Sequence, residues 1–128
     1  MSRWYIDTSA AIKLLVTEDE SEALASAIDA EQPELVACHL LETELRRAAL
    51  RHGVTQADAT QLLDGVDLYD IPGTWFRQAG LMPGAGLRSL DAIHVSAALN
   101  LDVDVVLSYD TRLSEAAASV GLPVICPV

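Results

Sequence analysis

The chain has 128 residues, 51% hydrophobic and 21% charged, with a formal net charge of −11. That length suffices to bury one sizeable core, so a single domain over residues 1–128 is expected rather than a disordered segment. No apolar run approaches the ~18 residues needed to cross a bilayer, and a sequence-independent nucleic-acid coat would ordinarily be basic.

An acidic chain can still process a polyanion when metal cations mediate the contact, and it can attract a basic protein partner. The opening "MSRWYIDTS" runs directly into a strand-like segment, so a cytoplasmic protein without a signal peptide is expected. Seven of the eight basic residues are arginines, which favours planar phosphate or carboxylate pairing over point charges. Cys38 and Cys126 each close an apolar stretch and are expected as buried free thiols, at a spacing that matches no zinc site.

In chain order, "RWYI" (3–6) reads as a strand, followed by helix-period segments at 8–16 and 19–31. "ELVAC" (34–38) is a second strand, followed by helices at 39–52 and 55–66. A weaker strand, "LYDI" (68–71), precedes helices at 74–81 and 89–100. "DVVLS" (104–108), a helix at 111–119 and "PVIC" (123–126) complete the pattern. Short, nearly all-apolar strands alternating with helices predict an α/β fold with a parallel sheet covered on both faces. "MPGAGL" (82–87) is glycine-rich but follows no convincing strand, so it reads as a mobile loop rather than a phosphate cradle.

In such sheets functional groups gather beyond the carboxyl ends of the strands. Asp7 follows the first strand directly, and Asp110 follows the strand ending at Ser108. Each also suits a helix N-cap. Asp91 lies in the first turn of a greasy helix with Ser89 as a plausible cap, where the helix dipole favours a negative charge. Glu44 differs. At ~100° per residue it falls roughly 60° from the centre of the inward face of its helix, against roughly 100° for Glu42. Glu42 has Arg46 four residues on and reads as solvated. An inward Glu44 needs either a partner, for which Arg47 is one turn away, or a metal.

Caps do not explain why these acids would share one place. Four clustered carboxylates would repel, by about 4 kcal/mol per pair at ~4 Å and an effective dielectric near 20. A divalent cation removes that repulsion, and oxygen-only ligands select Mg²⁺ or Mn²⁺ over zinc.

"YIDTSAAIKL", "TELRRA", "LRSLDAIHVSAAL" and "VLSYDTRLSEAA", in this order and spacing, resemble the PIN-domain family, and within it the VapC-type toxins of toxin–antitoxin pairs. The resemblance spans nearly the whole chain. It implies a Rossmann-like three-layer α/β/α sandwich and a metal-dependent endoribonuclease. It also implies inhibition by a small antitoxin whose C-terminal segment covers the active site, and a homodimer. Carried over by motif, the acidic constellation is Asp7, Glu44, Asp91 and Asp110, with Asp7 and Asp91 the most direct metal ligands. Ser108, beside the last acid, is expected to hold a ligand or water. Arg112, in "YDTRL", is expected to make a phosphate or structural contact.

His94, one turn after Asp91, is expected as a packed residue hydrogen-bonded to a neighbour, and His52 before Gly53 as a helix C-terminal dipole contact. Trp4 and Tyr5 are expected in the core, while Trp75 and Arg77 sit in a more open segment that could meet RNA or a partner. Residues 17–31 read as an acidic, solvated helical face or a docking place for a basic inhibitor. The rivals are a receiver-type Mg²⁺-binding signalling domain, a non-catalytic binding module and a metal-dependent DNA nuclease. The receiver would need paired acids after the first strand and an Asp after a middle one, where this chain has Ile6 and Cys38–His39. The DNA nuclease would need strand-threading elements for which the chain is short.

Overall fold

Five strands pair in parallel: β1 (Arg3–Ile6), β2 (Glu34–Cys38), β3 (Asp67–Tyr69), β4 (Val105–Leu107) and β5 (Val124–Ile125). Their order across the sheet is β3-β2-β1-β4-β5 in the computed structural model, which describes residues 2–128. Met1, the first residue of the expected domain, lies outside them. Parallel neighbours require a crossover each, supplied by α1 (Thr8–Leu15), α2 (Ser21–Glu31), α3 (Leu40–His52), α4 (Gln56–Asp64), α5 (Gly73–Gly80), α6 (Ser89–Asn100) and α7 (Thr111–Ser119). Every strand and helix read from the sequence is present, with ends displaced by no more than two residues.

The helices form two mutually packed groups, α1 to α4 and α5 to α7, flanking the sheet as a three-layer α/β/α sandwich. Tyr5 in β1 stands in register with Val36 on one side and Val106 on the other, and all three are fully buried or nearly so. Burial on both faces explains why these strands are continuously apolar. Trp4 and Tyr5 belong to the core as expected. The greasy helix α6 is buried at Ala92 and from His94 through Ala98, and it packs against α5, α7 and β2.

Local chemistry sets the helix ends. Asp7, extended at the N-cap, accepts from Ala10 N, and Asp110 does the same for Leu113 N. Thr55 caps α4, and α3 stops at Gly53, whose φ of +67° is the left-handed conformation glycine adopts without a Cβ clash. Two expectations are corrected. Ser89 does not cap α6: Arg88 holds the extended cap position without a side-chain bond, and Ser89 is already helical. Cys126 is exposed, because it lies just past a two-residue strand at the edge of the sheet, whereas Cys38 is buried at the end of β2.

The sheet order fixes where chemistry can gather. The chain moves outward from β1 to β2 and β3, then returns to the other side of β1 with β4. The crevice at the carboxyl ends of β1 and β4 is therefore the topological switch point, the usual ligand position in open α/β sheets.

Candidate active site

Asp7 leaves the end of β1, and Ser108 and Asp110 leave the end of β4, so the switch point opens between them. Glu44 reaches it from α3 and Asp91 from the first turn of α6. All four acids line one cavity of about 370 Å³, together with Thr8, Ser9, Arg88 and His94. A larger cavity, about 490 Å³, lies between α7 and the loop at Pro83–Leu87, but Arg112 and Glu115 are its only charged walls. Size favours that one; the convergence of carboxylates favours the smaller, and chemistry follows charge.

Asp7 is buried, 2% exposed. Its Oδ1 accepts from Ser9 Oγ at 2.7 Å and Ala10 N at 2.9 Å, and its Oδ2 accepts from Ser108 Oγ at 2.5 Å. Burial raises its pKa above the ordinary carboxylate value, against the opposing pull of these donors. Ser108 Oγ in turn accepts Asp110 N at 3.1 Å, and Ser9 Oγ accepts Tyr109 N at 2.8 Å. Two hydroxyls thus stitch the end of β4 to the start of α1 through one carboxylate.

Glu44 points inward as its helical angle predicts, but its partner is not Arg47, which is exposed. Its Oε1 accepts from Thr8 Oγ1 at 2.8 Å and His94 Nε2 at 2.6 Å. Burial works to raise the Glu44 pKa, but the His94 hydrogen bond and charge outweigh it and hold the carboxyl below its usual range. Glu42 is exposed beside Arg46, as expected, at 3.7 Å.

His94 is packed and hydrogen-bonded, yet it also walls the cavity. Tyr5 Oη accepts from Cys38 N at 3.3 Å, lies 3.3 Å from Cys38 Sγ and shares a hydrogen bond with His94 Nδ1 at 2.7 Å. A charged His94 ring would donate from both nitrogens. Burial opposes that charge, but Cys38 and Glu44 favour it and raise the pKa to about 10.

Asp91 is half-buried and makes no side-chain hydrogen bond among the described residues. Burial and then the charge of Asp110 raise its pKa, with Glu44 adding to the repulsion. Asp110 Oδ1 caps α7, and its Oδ2 receives no hydrogen bond among the described residues. No three of the His, Cys, Asp and Glu side chains among the described residues approach closely enough to share one ion. Bare carboxylates repel, and Asp7 and Glu44 are each engaged by donors of their own. Arg112 stands beside the acids rather than among them, lining a neighbouring cavity of about 280 Å³ with Arg88, Thr111, Asp91 and Asp110.

Thr8, Ser9 and Arg88 are site residues the sequence reading missed. Their only signal was adjacency to Asp7 and Asp91 in "DTSA" and "LRSLD". Trp75 packs partly against the core, leaving Phe76, 49% exposed, and Arg77 as the open part of α5.

Comparison with known proteins identifies relatives over nearly the whole chain. Ribonuclease VapC46 of Mycobacterium tuberculosis is 36% identical, with 99% of each chain covered. Ribonuclease VapC35 of the same species is 35% identical over 96% of each chain. Among solved structures, Mycobacterium tuberculosis VapC20, described as a sarcin-ricin loop cleaving toxin, superposes with a TM-score of 0.76 at 13% identity, covering 97% of this chain and 99% of that one. A toxin–antitoxin complex from Klebsiella pneumoniae gives 0.73 at 18% identity, with 97% of each chain covered. These two establish likeness of fold. The PIN domain profile matches residues 4–119, a span that holds all four acids, and with full-length VapC relatives above one-third identity this chain belongs to the PIN domain family.

Proposed function

We propose that the chain is a Mg²⁺-dependent endoribonuclease, with Mn²⁺ a working substitute, and the toxin half of a toxin–antitoxin pair. The observation that carries this reading is the arrival of carboxylates from four separate segments at one cavity on the switch point. The donor set fits a hard dication, since the four acids lining the cavity offer carboxylate oxygens, and the Asp91 pKa is raised first by burial and then by the charge of Asp110. Asp7, Glu44, Asp91 and Asp110 would hold the ion. When bound, such an ion supplies an acidified water and stabilises charge developing on a phosphate.

The chain's own residues do the rest. Ser108 and Ser9 hold the Asp7 carboxylate, while Asp110 stays fixed by its cap bond to Leu113 N. Arg88 and Arg112 have no ion-pair partner among the described residues and stand at the rim, where backbone phosphates flanking the scissile one would lie. The reaction adds water across a phosphodiester: the water oxygen bonds phosphorus, the bond to the leaving oxygen breaks, and a proton passes to that oxygen. The VapC relatives are named ribonucleases, and one structure of the same fold is a toxin–antitoxin complex. These support RNA as substrate and a small antitoxin covering the cavity; a homodimer is proposed with them. No helix among the described residues is long and apolar enough to cross a membrane.

The test is RNA cleavage by the purified chain in Mg²⁺, and growth arrest on inducing it alone. Asp7→Asn and Asp91→Asn should each abolish both. Cleavage at the parental rate by either variant overturns the reading. A non-catalytic module using its acids only as caps would show no Mn²⁺ site dependent on Glu44 by calorimetry.

A further inference from the structure

A line of groups runs behind the cavity to Glu44 in α3, and three of its members have no part in the reaction above: Cys38 at the end of β2, Tyr5 in β1 and His94 in α6. The contacts are 3.3 Å from Tyr5 Oη to Cys38 Sγ, 2.7 Å from His94 Nδ1 to Tyr5 Oη, and 2.6 Å from His94 Nε2 to Glu44 Oε1. Tyr5 is fully buried and His94 is 2% exposed, and their rings meet edge to face at 5.8 Å between centroids. The imidazole therefore has little freedom to turn, since both nitrogens are committed and one ring edge is packed.

The far end of the line is different. Glu44 Oε1 is taken by His94 and by Thr8 Oγ1 at 2.8 Å. Oε2 receives no hydrogen bond from the described residues, yet no buried side-chain oxygen or nitrogen among them lacks a partner. Oε2 is thus the oxygen open to solvent, in a side chain that walls the acid cavity. A flexible glutamate gripped at one oxygen from two helices offers the other in a single orientation.

We propose that His94 is a positioning residue, held by Tyr5 and Cys38, that clamps Glu44 Oε1 so that Oε2 is presented to the divalent cation; this rests on the nuclease reading above. A carboxylate ligand is ordinarily fixed by such an outer hydrogen bond, and removing the partner costs about 10- to 100-fold in metal affinity or activity. An unclamped Glu44 must be ordered by the ion itself. Both His94 ring nitrogens are committed to Glu44 and Tyr5, so its effect on the ion should travel through Glu44.

Calorimetric titration of the full chain with MnCl₂ tests this without requiring RNA. A Gln amide nitrogen can replace imidazole Nε2, whereas an Asn amide reaches only the position of Nδ1. His94→Asn should weaken Mn²⁺ binding about 10- to 100-fold, and His94→Gln should recover most of that loss. Adding His94→Asn to Glu44→Gln should cost nothing further. Unchanged affinity in folded His94→Asn, equal loss in both variants, or a double-variant loss that adds to that of Glu44→Gln would each overturn the clamp. If His94→Asn does not fold, Tyr5→Phe, which keeps the ring and removes the hydroxyl, decides by weakened or unchanged affinity. A parent that binds Mn²⁺ and cleaves RNA while His94 variants bind normally sinks the clamp alone. A parent that takes up no Mn²⁺ sinks both.

Discussion

Ser108 Oγ donates to Asp7 Oδ2 at 2.5 Å across 101 positions of sequence, and the same oxygen accepts the backbone N–H of Asp110. One hydroxyl therefore sets the spacing between two acids of the cavity. Ser108→Ala would leave the buried Asp7 oxygen with Ser9 alone and the Asp110 amide without its acceptor. The expected cost is about 1–3 kcal/mol of stability, measurable by urea denaturation, with a fall in cleavage rate. Ser108→Thr keeps the hydroxyl and should stay close to the parent on both measures.

Asp7 gives a sharper test because it both caps α1 and carries a buried charge. Its folded pKa is raised above the unfolded value of 3.8. The folded state therefore holds its proton more tightly, and the group's contribution to stability is greatest below pH 3.8 and falls as pH rises through the folded pKa. At neutral pH in chelator, Asp7→Asn should melt no lower than the parent, since Asn caps as well as Asp. Asp7→Ala, which loses the cap bond, should be less stable than Asp7→Asn by about 1 kcal/mol. Mg²⁺ at 100 times its Kd should add about 2.7 kcal/mol to the parent and nothing comparable to Asp7→Asn. Thermal melts with and without the ion read all of these.

Arg88 and Arg112 are exposed beside the acids, without an ion-pair partner among the described residues. Replacing either with Gln should raise KM for RNA with little change in kcat. It should also flatten the salt dependence of binding by about 0.7 in the log–log slope for each single-strand phosphate that the arginine no longer neutralises. Cleavage titrations across a range of KCl concentrations provide both quantities. A fall in kcat at constant KM would instead place the arginine on the reacting phosphate.

Lys13 meets Glu20 at 2.7 Å and Glu18 at 3.6 Å, joining α1 to the acidic segment that leads into α2. Hydrogen bonding to Glu20 raises the Lys13 pKa and lowers that of Glu20. The Lys13 contribution is fully present below pH 10.5 and is lost as pH rises through its folded pKa. The Glu20 contribution is present above pH 4.5 and is lost as pH falls through its own. Both partners are solvent-screened, so Lys13→Met should change stability only slightly, and that change should shrink further in about 1 M NaCl.

The strands and most of the acids were legible because their signals are local. An apolar run followed at once by Asp and a helix-period segment specifies a strand, a turn and a cap, and this is how Asp7 and Asp110 stand. The inward angle of Glu44 was legible too, because periodicity fixes the face of a helix. Its partner was not: His94 lies 50 residues away on another helix, and no periodicity names the residue across a packing interface. Ser9 and Thr8 read as ordinary residues at a helix start. They became site residues only because β4 and α3 pack against that start. The exposure of Cys126 was hidden for the opposite reason, since "PVIC" looks as buried as "LVAC" until the sheet order puts it at an edge.

The double duty of the capping acids has an evolutionary corollary. Asp7 and Asp110 each terminate a helix through a backbone bond, whereas the Asp91 side chain bonds to nothing among the described residues. A gene copy released from selection for cleavage would still gain stability from a capping side chain at the first two, so drift should erase Asp91 first. Intact acids after the first and fourth strands are therefore poor witnesses to activity among decayed relatives, and the greasy helix carries the more honest record.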